Sequence, residues 1–210
     1  TSEEDGRPKY LPADEYLSGN VREKLAIAKR SAELHPEDYG ENVRALEAVQ
    51  PVDLTASEIS VRLGATWLTL EIIEEFMFEL FSTPRYCQWN IHVHYAQYTG
   101  EWNVEGKSYD RSNVKAYNTY GTGRVNGYKI MEETLNLRDV RIFDYIEDGN
   151  GMKTALLNKK ETAIAQGKQE LIKQAFADWI WSDPERREQL TKLYNEKFNS
   201  IRPASMTAAT

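Results

Sequence analysis

Gln88-Trp89-Asn90-Ile91-His92-Val93-His94-Tyr95, then Thr99-Gly100, then Glu101-Trp102-Asn103-Val104-Glu105: through this stretch the apolar period is two. Trp89, Ile91, Val93 and Tyr95 alternate with Gln88, Asn90, His92 and His94, the pattern of a half-buried strand. Thr99-Gly100 reads as a turn, and Trp102 and Val104 put a returning strand behind it. On either side the period is helical. The chain therefore predicts an α+β fold, with N- and C-terminal helices packed around a small antiparallel sheet built from 88–105 and 140–157.

Working outward, Val21, Leu25, Ala28 and Ala32 recur at helical spacing over 20–34, and His35-Pro36 stops the run because a residue before proline resists the helical region. A second helix is expected over 37–49. Thr55-Ala56-Ser57-Glu58 spells a capping box that opens a short helix to 63, with Gly64 suited to the left-handed turn after it. Thr69 caps an apolar helix over 70–81. Residues 106–123 read as a long loop, a length usually functional or disordered. A helix over 124–136 follows, then strands at 140–146 and 153–157, then helices over 160–182 and 184–200 with Pro184 in a first-turn position. Residues 1–13 and 204–210 are expected as disordered ends of a single domain spanning 14–203.

Composition narrows the function classes. The chain has 210 residues, 40% apolar and 28% charged, with net charge −7, which argues against a domain that coats phosphate nonspecifically. The single cysteine, Cys87, excludes an internal disulfide and fits a reducing cytosol. No run approaches the ~20 apolar residues of a membrane span, and no basic leader precedes an apolar stretch, so a cytoplasmic protein without membrane partners is expected.

There is no GxxxxGK[ST] phosphate loop, no Asn/Asp-Pro-Pro-Tyr/Phe methylase sequence, no HExxH and no paired CxxC, so neither catalytic residues nor a cofactor are expected here. The best candidate site is the window Lys107, Tyr109, Arg111, Lys115, Tyr117, Tyr120, Arg124 and Lys129. Cations can contact phosphate and rings can stack on bases, the chemistry of a surface that tracks a nucleic-acid strand; the plainer alternative is a solvated loop with some tyrosines tucked inside. His92 and His94 project from one strand face and could hold a metal if a third ligand, His35 or Glu101, arrived. A polar, solvent-facing strand edge is the plainer reading, and the metal signal is weak. The stretch 54–81 has a helix-turn-helix outline, but Glu71, Glu74, Glu75 and Glu79 would face DNA phosphates with like charge.

Longer words carry a resemblance: Asp14-Glu15-Tyr16-Leu17-Ser18-Gly19-Asn20-Val21-Arg22-Glu23-Lys24-Leu25, 54–64 followed by Trp67, Thr99-Gly100-Glu101-Trp102, Thr119-Tyr120-Gly121-Thr122, Glu132-Glu133-Thr134-Leu135-Asn136-Leu137, and a terminal run from Phe176 through Trp179-Ile180-Trp181 and Asp183-Pro184-Glu185-Arg186-Arg187 to Ile201-Arg202-Pro203. Over roughly 8–203 the chain resembles a segment of large bacterial mobile-element proteins that fuse an adenine-specific DNA methylase to a Swi/Snf-type (superfamily two) helicase. The likeness implies an excised, non-catalytic accessory segment. Its parent would be an ATP-dependent DNA helicase joined to an adenine-specific DNA methyltransferase, using ATP and S-adenosylmethionine through motifs outside this stretch. The implied partners are DNA and the neighbouring helicase and methylase modules. Two alternatives stay open: a purely structural inter-module protein-interaction domain, and a small metal-dependent enzyme using His92 and His94.

Overall fold

The computed structural model describes residues 2–4, 7–9, 11–147, 149 and 151–203. The expected tail at 204–210 lies outside them, as do Thr1, Asp5, Gly6 and Tyr10. Within the start expected as disordered, β1 (Ser2–Glu4) and β2 (Arg7–Lys9) pair antiparallel and α1 (Ala13–Tyr16) follows. Where the sequence predicts one domain over 14–203, contacts divide the chain into two compact units, one made of residues up to Ile59 with those from Glu188 on, the other of Ser60–Arg187.

The first unit contains β3 (Gly19–Asn20), α2 (Val21–Leu34) and α3 (Pro36–Ala48). The Asn20 side chain accepts the Glu23 amide and starts α2, the expected N-cap. His35 ends it and Pro36 opens α3, where its missing N–H costs nothing. Val21, Ala28 and Leu46 are buried between the two helices, with Tyr16, Leu17, Leu25, Val43 and Val49 packed around them. The Arg22 guanidinium donates to the carbonyls of Asn199 and Pro51 and reaches Asp53.

The second unit comprises α4 (Leu70–Phe81), α5 (Arg85–Gln88), β4 (His92–Ala96), β5 (Glu101–Glu105), a π-turn (Lys115–Thr119), α6 (Gly127–Leu135), β6 (Phe143–Glu147), β7 (Lys153–Leu157) and α7 (Lys159–Ile180). Helix α8 (Pro184–Phe198) begins here and continues in the first unit, where β8 (Ile201–Arg202) pairs with β3. Ile73, Phe76, Met77 and Phe81 of α4 and Ile172, Phe176 and Ile180 of α7 are buried, and their spacings of three, four and multiples follow the helical period. The rings of Phe76 and Phe176 meet edge to face at 5.1 Å, and those of Phe81 and Tyr128 at 4.6 Å. Fully burying side chains of this size contributes about 1.5–3 kcal/mol each.

The fold is α+β, and its sheets are antiparallel pairs of strands. The hairpins β4–β5 and β6–β7 stay separate among the described residues, rather than joining in one sheet as expected. Side chains occupy the places a third strand would take beside β4–β5. Glu74 of α4 accepts the Val93 amide at 2.7 Å on the outer edge of β4. On β5, Glu132 of α6 accepts the Val104 amide at 2.9 Å, and Asn136 both accepts the Trp102 amide and donates to its carbonyl at 2.8 Å. Edge groups that would otherwise lose water are thus satisfied by two helices.

The helix expected at 55–63 is absent. Its capping contacts form, with Thr55 N–H and Oγ1 both donating to Glu58, but only a turn follows. One capped turn does not cover the cost of helix nucleation, and Ile59 and Leu63 are buried from an irregular chain instead. The helix-turn-helix outline therefore lacks its first helix. Gly64 sits at φ +90°, and a Cβ there would come within 2.3 Å of the Leu135 carbonyl oxygen, so only glycine fits that approach.

Candidate nucleic-acid interface

The long loop expected at 106–123 is held by a buried polar cluster. Asp110 is 2% exposed. Its carboxylate accepts from the Tyr128 hydroxyl at 2.9 Å and from the Asn113 amide, and the Cys87 Sγ lies 3.8 Å away. Tyr128 and Thr83 share a hydroxyl–hydroxyl bond of 2.7 Å, while Asn113 also donates to the Phe81 carbonyl. Burial pushes the Tyr128 phenol far up; the Thr83 bond opposes this and Asp110 reinforces it. Burial and then the Asp110 charge likewise push the Cys87 thiol up. Neither group gives up its proton near neutrality, so both stay donors to the Asp110 carboxylate, and the cluster fastens the loop to α4 and α6.

The eight candidate residues divide sharply. Lys107 and Lys129 each donate to one oxygen of Glu132, whose side chain is 8% exposed; Lys129 also pairs with Glu133 at 2.7 Å. Burial alone would raise the Glu132 carboxyl, but hydrogen bonds from Lys107, Lys129 and the Val104 amide outweigh it and hold the group below the usual carboxylate range. Arg124 bridges to Asp144 and the Phe143 carbonyl, at 2.8 and 2.9 Å. Tyr117 accepts from the Asn126 amide, and the Tyr120 ring packs on Phe81 at 5.9 Å. Five of the eight are thereby turned inward or paired.

Tyr109, Arg111 and Lys115 remain outward. Tyr109 is 63% exposed, Arg111 is exposed and donates to the Ser108 carbonyl, and Lys115 leans on the Ser82 hydroxyl. The structure adds three residues that the alternation of the sequence does not single out as site residues. The Cys87 and Ser82 contacts bring the segment 82–90 beside this loop, and on it Tyr86 and Trp89 are 72% and 82% exposed, with Arg85 exposed between Pro84 and Tyr86. The expected inward Trp89 is thus reversed: β4 begins at His92, and Trp89 is the C-cap of α5. The segments 82–90 and 107–120 contain one acid, Asp110, and it is buried. Their surface is consequently cationic and aromatic although the chain is acidic. Thr83-Pro84 followed by Arg85-Tyr86-Cys87-Gln88 is a helix start that could have revealed the reversal.

His92 and His94 share a face as expected, with ring centroids 6.4 Å apart. Each has its own carboxylate, Glu74 at 3.6 Å from His92 and Glu105 at 3.3 Å from His94. Among the described residues no group of three or more His, Cys, Asp or Glu side chains is placed to hold a metal ion. None of the described helices is long and apolar enough to cross a membrane.

A family model described as "Domain of unknown function (DUF8437)" matches residues 62–200. No curated protein and no solved structure matches the chain.

Proposed function

We propose that this chain, which belongs to the DUF8437 family, is a non-catalytic accessory module that contacts DNA within a cytoplasmic helicase–methylase protein. The reading rests on one observation: three rings, Tyr86, Trp89 and Tyr109, and three cations, Arg85, Arg111 and Lys115, are exposed on two adjoining segments whose single acid is buried. Exposed rings offer stacking platforms to unpaired bases, worth about 1–3 kcal/mol per base, and the cations follow the phosphates. This favours a single strand over a duplex, whose bases are already stacked. ATP and S-adenosylmethionine belong to the neighbouring modules in this reading, and the segment's task is to hold or guide the strand between them.

Anisotropy of labelled single-stranded and duplex oligonucleotides across a salt series tests it. Replacing Arg85, Arg111 and Lys115 by Ala should lower the salt slope on single strands by about 2, at roughly 0.7 for each phosphate that is no longer neutralised. Trp89→Ala should weaken binding with little change in slope, and Arg124→Ala should have no effect. Absence of low-salt binding by the folded protein, or equal loss from Arg124→Ala, defeats the proposal.

One observation favours the inter-module alternative. The β6–β7 hairpin exposes Tyr145, Ile146, Met152 and Leu156, at 57–71%, and apolar side chains of that kind suit a protein partner. If the folded chain ignores DNA but binds a purified helicase or methylase module, and Tyr145→Ser/Leu156→Ser abolishes that binding, the hairpin is the working surface.

A further inference from the structure

Away from the cationic-aromatic surface, a cavity of about 370 Å³ opens among the chain before α4, the segment after α6 and the middle of α7. Its apolar lining includes Val61, Leu63, Leu137 and Phe176. Phe176 is 1% exposed and fixed in the core, whereas Leu137 is 58% exposed. Leu137 also holds φ +57°, a left-handed conformation rare for a branched apolar residue. Such strain persists only where neighbours enforce it, and here they do. The Leu137 amide donates to the Thr134 carbonyl, and the Arg138 amide to that of Glu133. The buried Gln169 side chain donates to the Arg138 carbonyl at 2.8 Å and accepts the Val140 amide at 3.2 Å. The wall that presents Leu137 is thereby fixed before any ligand arrives, as pre-formed ligand sites are.

The polar lining gives the ligand's charge. Arg62, Arg138 and Lys173 stand against one acid, Asp139. Arg138 is committed to Glu133 at 3.1 Å and Glu101 at 3.4 Å. Arg62 is exposed and makes no ion pair among the described residues. Lys173 pairs with Glu170, three residues away on α7 and 70% exposed, a bond weak enough to exchange. Two cations are therefore available to an incoming anion at a cavity with an apolar lining. A bare phosphate would leave that lining unused, and a neutral apolar molecule would leave the cations unused.

We propose that this cavity binds a small amphipathic organic anion, its acidic head on Arg62 and Lys173 and its apolar body against Val61 and Leu137. The site does not depend on DNA contact by the other surface. The test uses the whole chain with two probes of similar body, 1-anilinonaphthalene-8-sulfonate, which carries the charge, and N-phenyl-1-naphthylamine, which does not. The sulfonate should bind saturably at one site. R62E/K173E should weaken it by about tenfold or more, the scale of one charge-assisted hydrogen bond, while leaving the neutral probe unchanged. A177W, a bulky group on the lining, should abolish both, with the circular dichroism spectrum preserved in every variant. No saturable sulfonate binding, binding indifferent to R62E/K173E, or binding that survives A177W overturns the proposal.

Discussion

Glu132 offers the sharpest test of how this unit holds together. Its carboxylate takes Lys107 on one oxygen, Lys129 on the other, and the Val104 amide as well. Glu132→Gln preserves shape and an acceptor for Val104 but removes the charge both lysines face. A charge-assisted bond contributes about 1.5–3 kcal/mol when buried. The lysine side chains are 29% and 43% exposed, so solvent screening reduces each to about 1 kcal/mol. The expected loss is about 2 kcal/mol, lowering the urea midpoint by roughly 1 M for a slope near 2 kcal/mol per M. Repeating it in a Lys107→Met background should give a smaller loss, with about 1 kcal/mol of coupling. The pH dependence follows from the signs. Glu132 is held below its ordinary value of 4.5, so its contribution is complete above that value and disappears as pH falls through the lower folded one. For Lys129, burial acts downward, but Glu132 and Glu133 raise it above 10.5; its share is lost only as pH rises through that higher value. The gap between wild type and variant should be widest around neutrality and close in acid. A loss below about 0.5 kcal/mol, strict additivity with Lys107→Met, or a gap that persists in acid would refute this account of the hub.

Asn136→Ala uncovers the Trp102 amide and carbonyl and should cost about 1–3 kcal/mol, with faster hydrogen exchange at the Trp102 amide as its specific mark. Arg186 is 9% exposed, stacks 3.5 Å from the Trp179 ring and donates to the carbonyls of Ile180 and Trp179 at the end of α7. Arg186→Lys keeps the charge but loses the planar fork, so thermal unfolding should show it recovering less than half of the roughly 2–4 kcal/mol lost in Arg186→Ala.

Helical and strand periods made most elements legible. The run 160–182 emerges as Lys159–Ile180, and the strand at 153–157 matches Lys153–Leu157. Capping chemistry was a poorer guide at Thr55, where local bonds formed without propagation. Partnership across sequence was least legible. Lys107 and Glu132 are 25 residues apart, and their meeting depends on α6 lying along β5, which no local pattern announces. The same dependence hid Trp89: its place in an alternating run suggested the core, but the turn of α5 at Pro84 shifts the strand start and leaves the ring outside. The order of loop 106–123 likewise rests on Asp110, a charged residue whose burial becomes intelligible only once Tyr128, Asn113 and Cys87 surround it.

The contact of α6 with β5 joins two rulers of different gauge. Glu132 and Asn136 are four residues apart on a helix, a rise of about 6 Å. Val104 and Trp102 are two apart on a strand, a span of about 6.8 Å. The sequence ascends on the helix as it descends on the strand, so the two graduations run in opposite directions and agree to within about 1 Å over one interval. A second interval doubles the mismatch and carries the helix surface away from the edge as its side chains wind around the axis. Two marks are therefore what a helix can read from a strand, and a five-residue strand is what two marks can cover. A single-residue insertion between 132 and 136 would rotate one reader by about 100° and detach it, whereas an insertion in the Thr99-Gly100 turn leaves the scale intact. Length variation in this family should accordingly collect at the hairpin tip and spare the last turn of α6.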